Sequence, residues 1–156
     1  MVKNFLIRQA TESDSRNIFE WRNDLLTLGM SHNKKTIEWK THIDWFINTL
    51  KSENSLILIC ENNIDKIGVV RFDISNINAK VSINLNPGMR GKNLSKECLI
   101  KSIKFFSKKF PKIQRLEAEV SNDNIASKKI FTGSGFEKYK LYNNNIYYKK
   151  YLLLSK

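Results

Sequence analysis

The most constraining feature of this sequence is a change in the spacing of its apolar residues on either side of the segment NPGMRGKNL. Before this segment, Val81, Ile83 and Leu85 alternate with polar residues, which is the period of a half-buried strand. After it, the apolar residues of 95–110 recur every three or four positions, the period of an amphipathic helix, and Pro111 ends the pattern. Because both elements must bury an apolar face, we expect helices packed against a sheet.

The same two periods recur along the chain and predict the order β-α-α-β-β-β-α-β-α-β-β. Predicted strands cover 5–10, 55–61, 66–74, 79–86, 114–120, 137–142 and 146–154, and predicted helices cover 11–26, 36–51, 95–110 and 121–136. Residues 27–35, which include Gly29 and Asn33, are predicted to form a loop. No repeat or linker divides the chain, so we expect one mixed α+β domain, residues 1–156, with helices on the faces of its sheet.

Length and composition limit the class of protein. A chain of 156 residues with 41% hydrophobic residues suits one globular domain. No apolar run approaches the roughly 20 residues of a spanning helix, and the N-terminus lacks a signal-peptide core, so we expect a cytoplasmic protein without a membrane partner. Cys60 and Cys98 lie in apolar surroundings without metal-type spacing, which indicates buried free thiols and no metal site.

The formal net charge of +12 favours an anionic partner such as nucleic acid or a polyphosphate ligand. The lysines are dispersed over the whole chain, however, which favours simple solvation of a lysine-rich surface. No RNP-type, zinc-finger or helix-turn-helix pattern is present in the sequence, so nucleic acid is not expected to be the main partner.

The segment from Arg90 to Ser95 lies between a predicted strand and a predicted helix. The first turn of a helix has unpaired N–H groups and a partial positive charge, so it can hold an anion. Gly91 allows close approach of the backbone, and Arg90 and Lys92 add positive charge. The Walker and GxGxxG patterns are both absent. A phosphate-binding loop and a plain basic turn therefore both remain open.

Two segments, INLNPGMRGKNLSKECL and VSNDNIASKKIFTGSGF, resemble the signature segments of the GNAT acetyltransferases. In that family an Arg-x-x-Gly-x-Gly/Ala loop cradles the pyrophosphate of acetyl-CoA. The chain matches the arginine at Arg90 but has Asn93 and Ser95 at the Gly and Gly/Ala positions. Asn tolerates a positive φ and a small polar residue can cap the helix, so both substitutions are compatible with the loop. The element order also matches, and the resemblance implies a mostly antiparallel central sheet.

The resemblance extends to the residues that would bind acetyl-CoA. It implies that the strand ending at Leu85 pairs its backbone with the pantetheine arm and that the helix after Asn124 lies beside that arm. It also implies that Ser127 or Lys129 can reach the nucleotide end. The residues implied to bind the co-substrate are Leu85, Arg90, Gly91, Lys92, Asn93, Leu94, Ser95, Asn124, Ser127, Lys129 and Phe131.

The segments WRND, HIDWF and GVVRFD resemble a subgroup of this family that acetylates amino sugars on nucleotide carriers. That subgroup includes the enzyme of the pseudaminic acid pathway, which acts on the 4-amino group of a UDP-linked 4-amino-4,6-dideoxy sugar, a precursor for flagellin glycosylation. Similar segments occur in relatives that modify ribosomal protein N-termini and aminoglycosides. A nucleotide sugar requires an aromatic wall and cations for its diphosphate, and the candidate substrate-binding residues are Trp21, Arg22, His32, Trp45, Arg71 and Asp73.

Each candidate also has a structural interpretation. Trp21 falls on an apolar helical stripe and is expected in the core, whereas Trp45 lies off its stripe. His32 and His42 are each expected to be ordinary surface histidines more often than functional ones. Arg71 and Asp73 alternate with apolar residues and so can simply face solvent.

The catalytic groups are less defined than the binding loop. Many relatives use a tyrosine where this chain has Phe131, which cannot donate a proton, so Tyr139 and Tyr142 are the candidate proton donors. The candidate bases are Glu117, Glu119, His32, His42 and Asp73. A backbone N–H near Leu85 is implied as the oxyanion donor. Positioning can supply much of the acceleration for a weakly basic amine, so the absence of an evident base favours a sugar amine over lysine.

The sequence therefore predicts an acetyl-CoA-dependent N-acetyltransferase that transfers the acetyl group directly to a nucleotide-linked amino sugar in a ternary complex. Two alternatives remain open: acetylation of a protein N-terminus, and a non-catalytic CoA-binding protein of the same fold. A homodimer is a further possibility that the sequence does not decide.

Overall fold

The protein, described by a computed structural model over residues 4–31 and 34–153, contains a single seven-stranded sheet in the described part of the chain. The strands are β1 (Leu6–Gln9), β2 (Ser55–Glu61), β3 (Lys66–Ser75), β4 (Asn78–Leu85), β5 (Arg115–Ser121), β6 (Glu137–Tyr142) and β7 (Asn145–Tyr151). The helices are α1 (Ser15–Arg22), α2 (Leu25–Gly29), α3 (Trp39–Lys51), α4 (Ser95–Lys109) and α5 (Ile125–Gly133). The sheet order is β1-β2-β3-β4-β5-β7-β6, and only the β4–β5 pairing is parallel. The predicted α+β class with a mostly antiparallel sheet is confirmed.

Helices cover both faces of the sheet, as predicted. On one face α4 and α5 pack on a core in which Phe106 stacks on Phe72 with ring centroids 4.2 Å apart. On the other face α1 and α3 contribute Trp21 and Phe46, which pack against Ile57 of β2. Because β2 is covered on both sides, its residues 56–60 are all buried, whereas in β5 buried and part-exposed residues alternate.

A charged cluster joins the start of α1 to the first three strands of the chain. Asp14 is fully buried, and its carboxylate accepts hydrogen bonds from Arg8 at 2.8 Å and from the backbone N–H of Thr11 at 2.8 Å. Lys66 of β3 lies 2.8 Å from the same carboxylate, and Arg8 also binds Glu61 of β2 at 2.8 Å. Asp14 is therefore the centre of an ion cluster.

The region between the first two long helices differs from the prediction. The first helix ends at Arg22, because Asp24 leaves helical conformation and its carboxylate accepts the N–H of Thr27 at 3.2 Å. This bond caps α2, which begins at Leu25 in the last turn of the predicted helix and runs into the predicted loop as far as Gly29. Asn23 donates to and accepts from the backbone of Ile37, at 2.9 and 2.8 Å. These bonds hold the chain extended before α3, which begins at Trp39 rather than at residue 36.

Candidate functional site

The sheet opens between β4 and β5. The parallel ladder joins only Asn78–Lys80 to Arg115–Glu117, while β4 stays paired with β3 as far as Leu85. In the described part of the chain, no ladder pair links 81–85 to β5. The β5-facing edge of β4 beyond Lys80 therefore presents main-chain N–H and C=O groups to the opening, and an extended ligand can pair with them as an added strand would.

The loop that follows β4 forms the mouth of this opening. Gly91 has a φ of 74° and Asn93 a φ of 56°, so the chain twice enters the left-handed region. Leu94 then returns to the right-handed helical region, and a left-handed residue followed by a right-handed one turns successive N–H groups to one side, the arrangement that binds anions. The predicted tolerance of Asn93 for a positive φ is confirmed.

The start of α4 differs from the prediction in its cap. Leu94, not Ser95, is the capping residue, and among the described residues no side chain caps the first turn. The expectation that Ser95 caps the helix is wrong, because Ser95 is already inside it. Leu94 is buried beside Met89, which anchors the loop in the core and leaves Gly91 and Lys92 exposed. The helix start therefore retains N–H groups for an anion.

Arg90 is placed differently from the other loop residues. Its guanidinium binds Asp24 Oδ2 at 2.5 Å and Thr27 Oγ1 at 2.8 Å, so it ties the loop to the start of α2. The hydrogen bond from Arg90 holds the pKa of Asp24 below its usual value. Thr27 Oγ1 also lies 3.5 Å from Asn84 Oδ1 of β4. Nothing in the sequence signalled this link, since Asp24 and Thr27 lie more than 60 residues from Arg90.

The second predicted segment forms α5. Asn124 caps this helix by accepting the N–H of Ser127 at 3.1 Å, and Lys129 is exposed on its surface. The last turn of α5 lies beside the first turn of α4, since the Lys96 side chain passes next to Gly133. Phe131 does not face a ligand surface: it is 3% exposed and packs against Phe136. Its ring therefore belongs to the core, and its assignment to co-substrate binding stays a prediction.

The predicted substrate residues separate into two groups. Trp45, Arg71 and Asp73 lie together: the Arg71 guanidinium is 5.3 Å from the Trp45 ring centroid, and its Nε lies 2.9 Å from Asp73 Oδ2. Arg22 at the end of α1 donates a hydrogen bond to Ser31 Oγ at 2.9 Å, and burial and then the charge of Arg71 lower its pKa. We call Arg22, Trp45 and Arg71 the cationic patch. Trp21 is 5% exposed and belongs to the core, as its structural interpretation predicted.

His42 is a buried residue of α3 that contacts α1. His42 is 3% exposed, its ring stacks on Phe46 at 5.7 Å, and its Nε2–H donates to the Ser15 carbonyl at 2.9 Å. The expectation of a surface histidine is wrong, because the ring is buried, and a catalytic role for His42 stays a prediction. Burial lowers the pKa of His42, so the ring is neutral near pH 7. His32 lies outside the described residues.

Tyr139 and Tyr142, the candidate proton donors, belong to β6 at the outer edge of the sheet. Strand β7 separates them from β5 and the opening. Both side chains are about half exposed, and burial raises the pKa of Tyr139. Their catalytic roles stay predictions. The sequence did not single out Tyr147 of β7, which the register places opposite Glu119 of β5, beside the opening.

The protein is an α+β domain whose mixed sheet opens between β4 and β5, with an anion-binding loop at the mouth of the opening. An extended ligand that carries phosphate fits this arrangement. The model of the "Acetyltransferase (GNAT) domain" matches residues 4–137, and the chain belongs to this family. Membership supports the predicted donor, acetyl-CoA. The free edge of β4 fits its pantetheine arm, and the uncapped start of α4 fits its pyrophosphate.

The described helices include none long and apolar enough to cross a membrane. A cytoplasmic location stays a prediction.

Known proteins are similar to this chain in sequence or in fold. The chain is 27% identical over 139 residues to an uncharacterized protein of Methanocaldococcus jannaschii; the match covers 86% of this chain and 28% of that protein. The fold is similar to a crystal structure of a domain from the same organism, with a TM-score of 0.81, 23% identity and coverage of 96% and 99% of the two chains. It is also similar to spermidine N-acetyltransferase from Vibrio cholerae in complex with CoA and spermine, with a TM-score of 0.81, 13% identity and coverage of 95% and 94%.

Replacing Asn93 with valine is expected to weaken acetyl-CoA binding about tenfold, since a β-branched residue in the left-handed region costs about 1–2 kcal/mol. Asn93→Gly is the matched control, because glycine adopts a φ of 56° without strain and should bind as the wild type does. Calorimetric titration of each protein with acetyl-CoA gives the comparison. Equal affinities for the valine and glycine variants would show that this loop conformation is not needed for binding.

Proposed function

We propose that the protein transfers the acetyl group of acetyl-CoA to the 4-amino group of a UDP-linked 4-amino-4,6-dideoxy sugar, as in the pseudaminic acid pathway. The observation that carries this proposal is the cationic patch on the α1 and α3 side of the sheet. Arg71 pairs in register with Ser82, a β4 residue beyond the last ladder pair with β5, so the patch lies one strand from the opening.

The charge of the patch supports an anionic acceptor. Arg71 is partly neutralised by Asp73 at 2.9 Å, but the patch also holds Arg22, whose pKa is lowered by burial and by the charge of Arg71. The positive charges of Arg22 and Arg71 repel each other, and an anion that binds both relieves the repulsion. A planar guanidinium matches the oxygens of a diphosphate, and the 39% exposed Trp45 ring offers a stacking surface for a base or sugar.

The same charges distinguish this acceptor class from a polyamine. The similar structure from V. cholerae is a spermidine N-acetyltransferase in complex with CoA and spermine, and spermine is a polycation. A polycation placed against Arg22 and Arg71 would be repelled by both side chains. A nucleotide sugar, by contrast, combines a diphosphate with a single amine, so the cationic patch favours it.

The chemistry that this site must provide is modest. The acceptor amine has to reach the thioester carbonyl at the closed end of the opening, next to Lys80, where β4 and β5 separate. A main-chain N–H of the unpaired part of β4 is the proposed hydrogen-bond donor to the developing oxyanion. A sugar amine is less basic than a lysine, so holding it in place supplies much of the acceleration.

The proposal is tested by calorimetric titration with acetyl-CoA, followed in the same sample by measurement of thiol release after adding an acceptor. We expect binding of acetyl-CoA, and thiol release with the UDP-4-amino sugar greater than with spermine or with a peptide bearing a free N-terminus. Faster release with spermine or the peptide would overturn the acceptor class. Binding without release from any of the three acceptors would favour a non-catalytic CoA-binding protein.

Replacing Arg71 with glutamine is expected to lower kcat/KM for the UDP-sugar about 10- to 100-fold, mostly through KM, since a hydrogen bond to a charged group contributes about 1.5–3 kcal/mol. Arg16→Gln is the matched control, because Arg16 also stacks on an indole, that of Trp39, at 4.1 Å, but belongs to a different cluster. Steady-state kinetics with varied acceptor give the comparison. Similar losses in both variants, or a loss in kcat alone, would contradict a phosphate contact by Arg71.

A further inference from the structure

A second polar cluster lies at the closed end of the opening. Glu119 of β5 accepts a hydrogen bond from the Tyr147 hydroxyl at 3.0 Å, and its other carboxylate oxygen lies 3.0 Å from Lys80 Nζ. Lys80 is the last β4 residue that pairs with β5. The Lys80–Glu119 ion pair therefore crosses from one strand to the other at the point where the two strands separate.

The strand register aligns this cluster with the cationic patch. Arg71 lies opposite Ser82 of β4, and the parallel register that pairs Lys80 with Glu117 brings Glu119 level with Ser82 across the opening. Asp73, which binds Arg71, lies opposite Lys80, which binds Glu119, so all of these side chains share one face of the sheet. Arg71 and Glu119 lie on strands two apart in the sheet, so they are separated by at least about 10 Å.

Resting on the function proposed above, we propose that Glu119 binds the acceptor in its ammonium form, which loses one proton to water before its nitrogen attacks the thioester. Lys80 occupies this position until the acceptor displaces it. Arg71, Ser82 and Glu119 form a row across β3, β4 and β5. The guanidinium groups of the cationic patch lie at one end of this row, and the Glu119 carboxylate lies at the other. The row therefore matches an acceptor with phosphate at one end and an amine at the other, which a patch of cations alone does not.

The two members of the ion pair differ in the way this exchange requires. The Glu119 side chain is only 19% exposed, and Tyr147 fixes one of its oxygens. The hydrogen bond to Glu119 raises the pKa of Tyr147, so the phenol remains a donor over the physiological range. The Lys80 side chain is 56% exposed and can move into solvent when another ammonium group takes its place. The lysine is thus an internal competitor of the acceptor.

This assignment predicts opposite effects for the two partners. Glu119→Gln should raise the KM for the acceptor about 10- to 100-fold, since a charge-assisted hydrogen bond to the amine is lost. Lys80→Met should lower that KM about two- to fivefold, the range expected when an exposed ion pair no longer competes. The affinity for acetyl-CoA, measured by calorimetry, should stay unchanged in both variants.

Two matched variants control for the loss of charge. Glu97→Gln and Lys101→Met each remove one partner of an ion pair on α4, in which Lys101 Nζ lies 3.2 Å from Glu97 Oε1. Neither should change the KM for the acceptor. A rise in KM in Lys80→Met would show that Lys80 contacts the phosphates of the acceptor, and it would overturn the inference, as would an unchanged KM in Glu119→Gln.

The assay separates this inference from the proposed function. Initial rates of thiol release are measured for wild type and all four variants with the UDP-4-amino sugar and, separately, with spermine. Release with spermine alone would overturn the proposed acceptor, while the opposite shifts of Glu119→Gln and Lys80→Met with spermine would still support the ammonium site. Parallel shifts in the two variants with a working acceptor would overturn the ammonium site alone. No release with either acceptor would overturn both.

Discussion

Replacing Phe106 with alanine is expected to lower the free energy of unfolding by about 4 kcal/mol, which is within the range for removing a buried phenylalanine ring. Phe106 is completely buried, and its ring stacks on that of Phe72 with centroids 4.2 Å apart, so it joins α4 to the centre of the sheet. The truncation leaves a cavity beneath the helix whose first turn closes the candidate acetyl-CoA loop.

Urea denaturation of the wild type and the variant measures this change. Ile100→Ala on the same helix is the matched control, since that side chain is 45% exposed and its truncation should cost less than about 1 kcal/mol. A Phe106→Ala protein as stable as Ile100→Ala would mean that α4 is not held to the sheet by this contact. Acetyl-CoA affinity measured in parallel shows whether the loop depends on the position of the helix.

Replacing Asp14 with asparagine is expected to cost about 3 kcal/mol at pH 7, at the lower end of the range for breaking a buried ion pair. The low end applies because Arg8 and Lys66 are 29% and 30% exposed and regain water when the carboxylate is lost. The control is Asp44→Asn, which removes an exposed pair with Lys40 and should change stability by less than about 0.5 kcal/mol.

The contribution of Asp14 should also depend on pH. Burial alone would raise the pKa of Asp14, but the hydrogen bonds from Arg8 and Lys66 outweigh it and hold the pKa well below its usual range. A lowered folded-state pKa adds stability above the unfolded-state value of about 3.9, and this stability is lost as pH falls below it. The difference between wild type and Asp14→Asn, measured by denaturation from pH 7 to pH 2, should therefore shrink below about pH 4. A constant difference would contradict the ion cluster.

The acetyl-CoA half of the candidate site was largely predictable, because it depends on contiguous residues. The loop conformation follows from Gly91 and Asn93, and the helix it opens follows from the apolar spacing of 95–110. The exceptions are residues whose direction depends on distant elements. Phe131 turns into the core because the sheet lies beneath α5, and Arg90 turns to Asp24 because α2 passes beside the loop.

The acceptor half was much less predictable. Trp45, Arg71 and Glu119 are separated by more than 20 residues at each step, and no local pattern relates them. The sequence indicated His42 as a candidate catalytic residue. The packing of α1 against α3 buries its ring, and its Nε2–H donates to the Ser15 carbonyl. No sequence pattern indicated Lys80 or Tyr147. Both side chains contact Glu119 only because β5 lies between their strands, β4 and β7, in the sheet.

The sequence by itself determined the class of fold, the order of its elements apart from α2, and the conformation of the loop before α4. These follow from apolar period, glycine and asparagine positions and helix boundaries, all of which act over a few residues. Only the tertiary structure decided where the sheet opens, because the β4–β5 register joins residues about 37 positions apart. That register places Lys80 against Glu119 and, together with the β3–β4 pairing, brings Arg71 level with Glu119. It therefore sets the surface on which we propose that the acceptor binds.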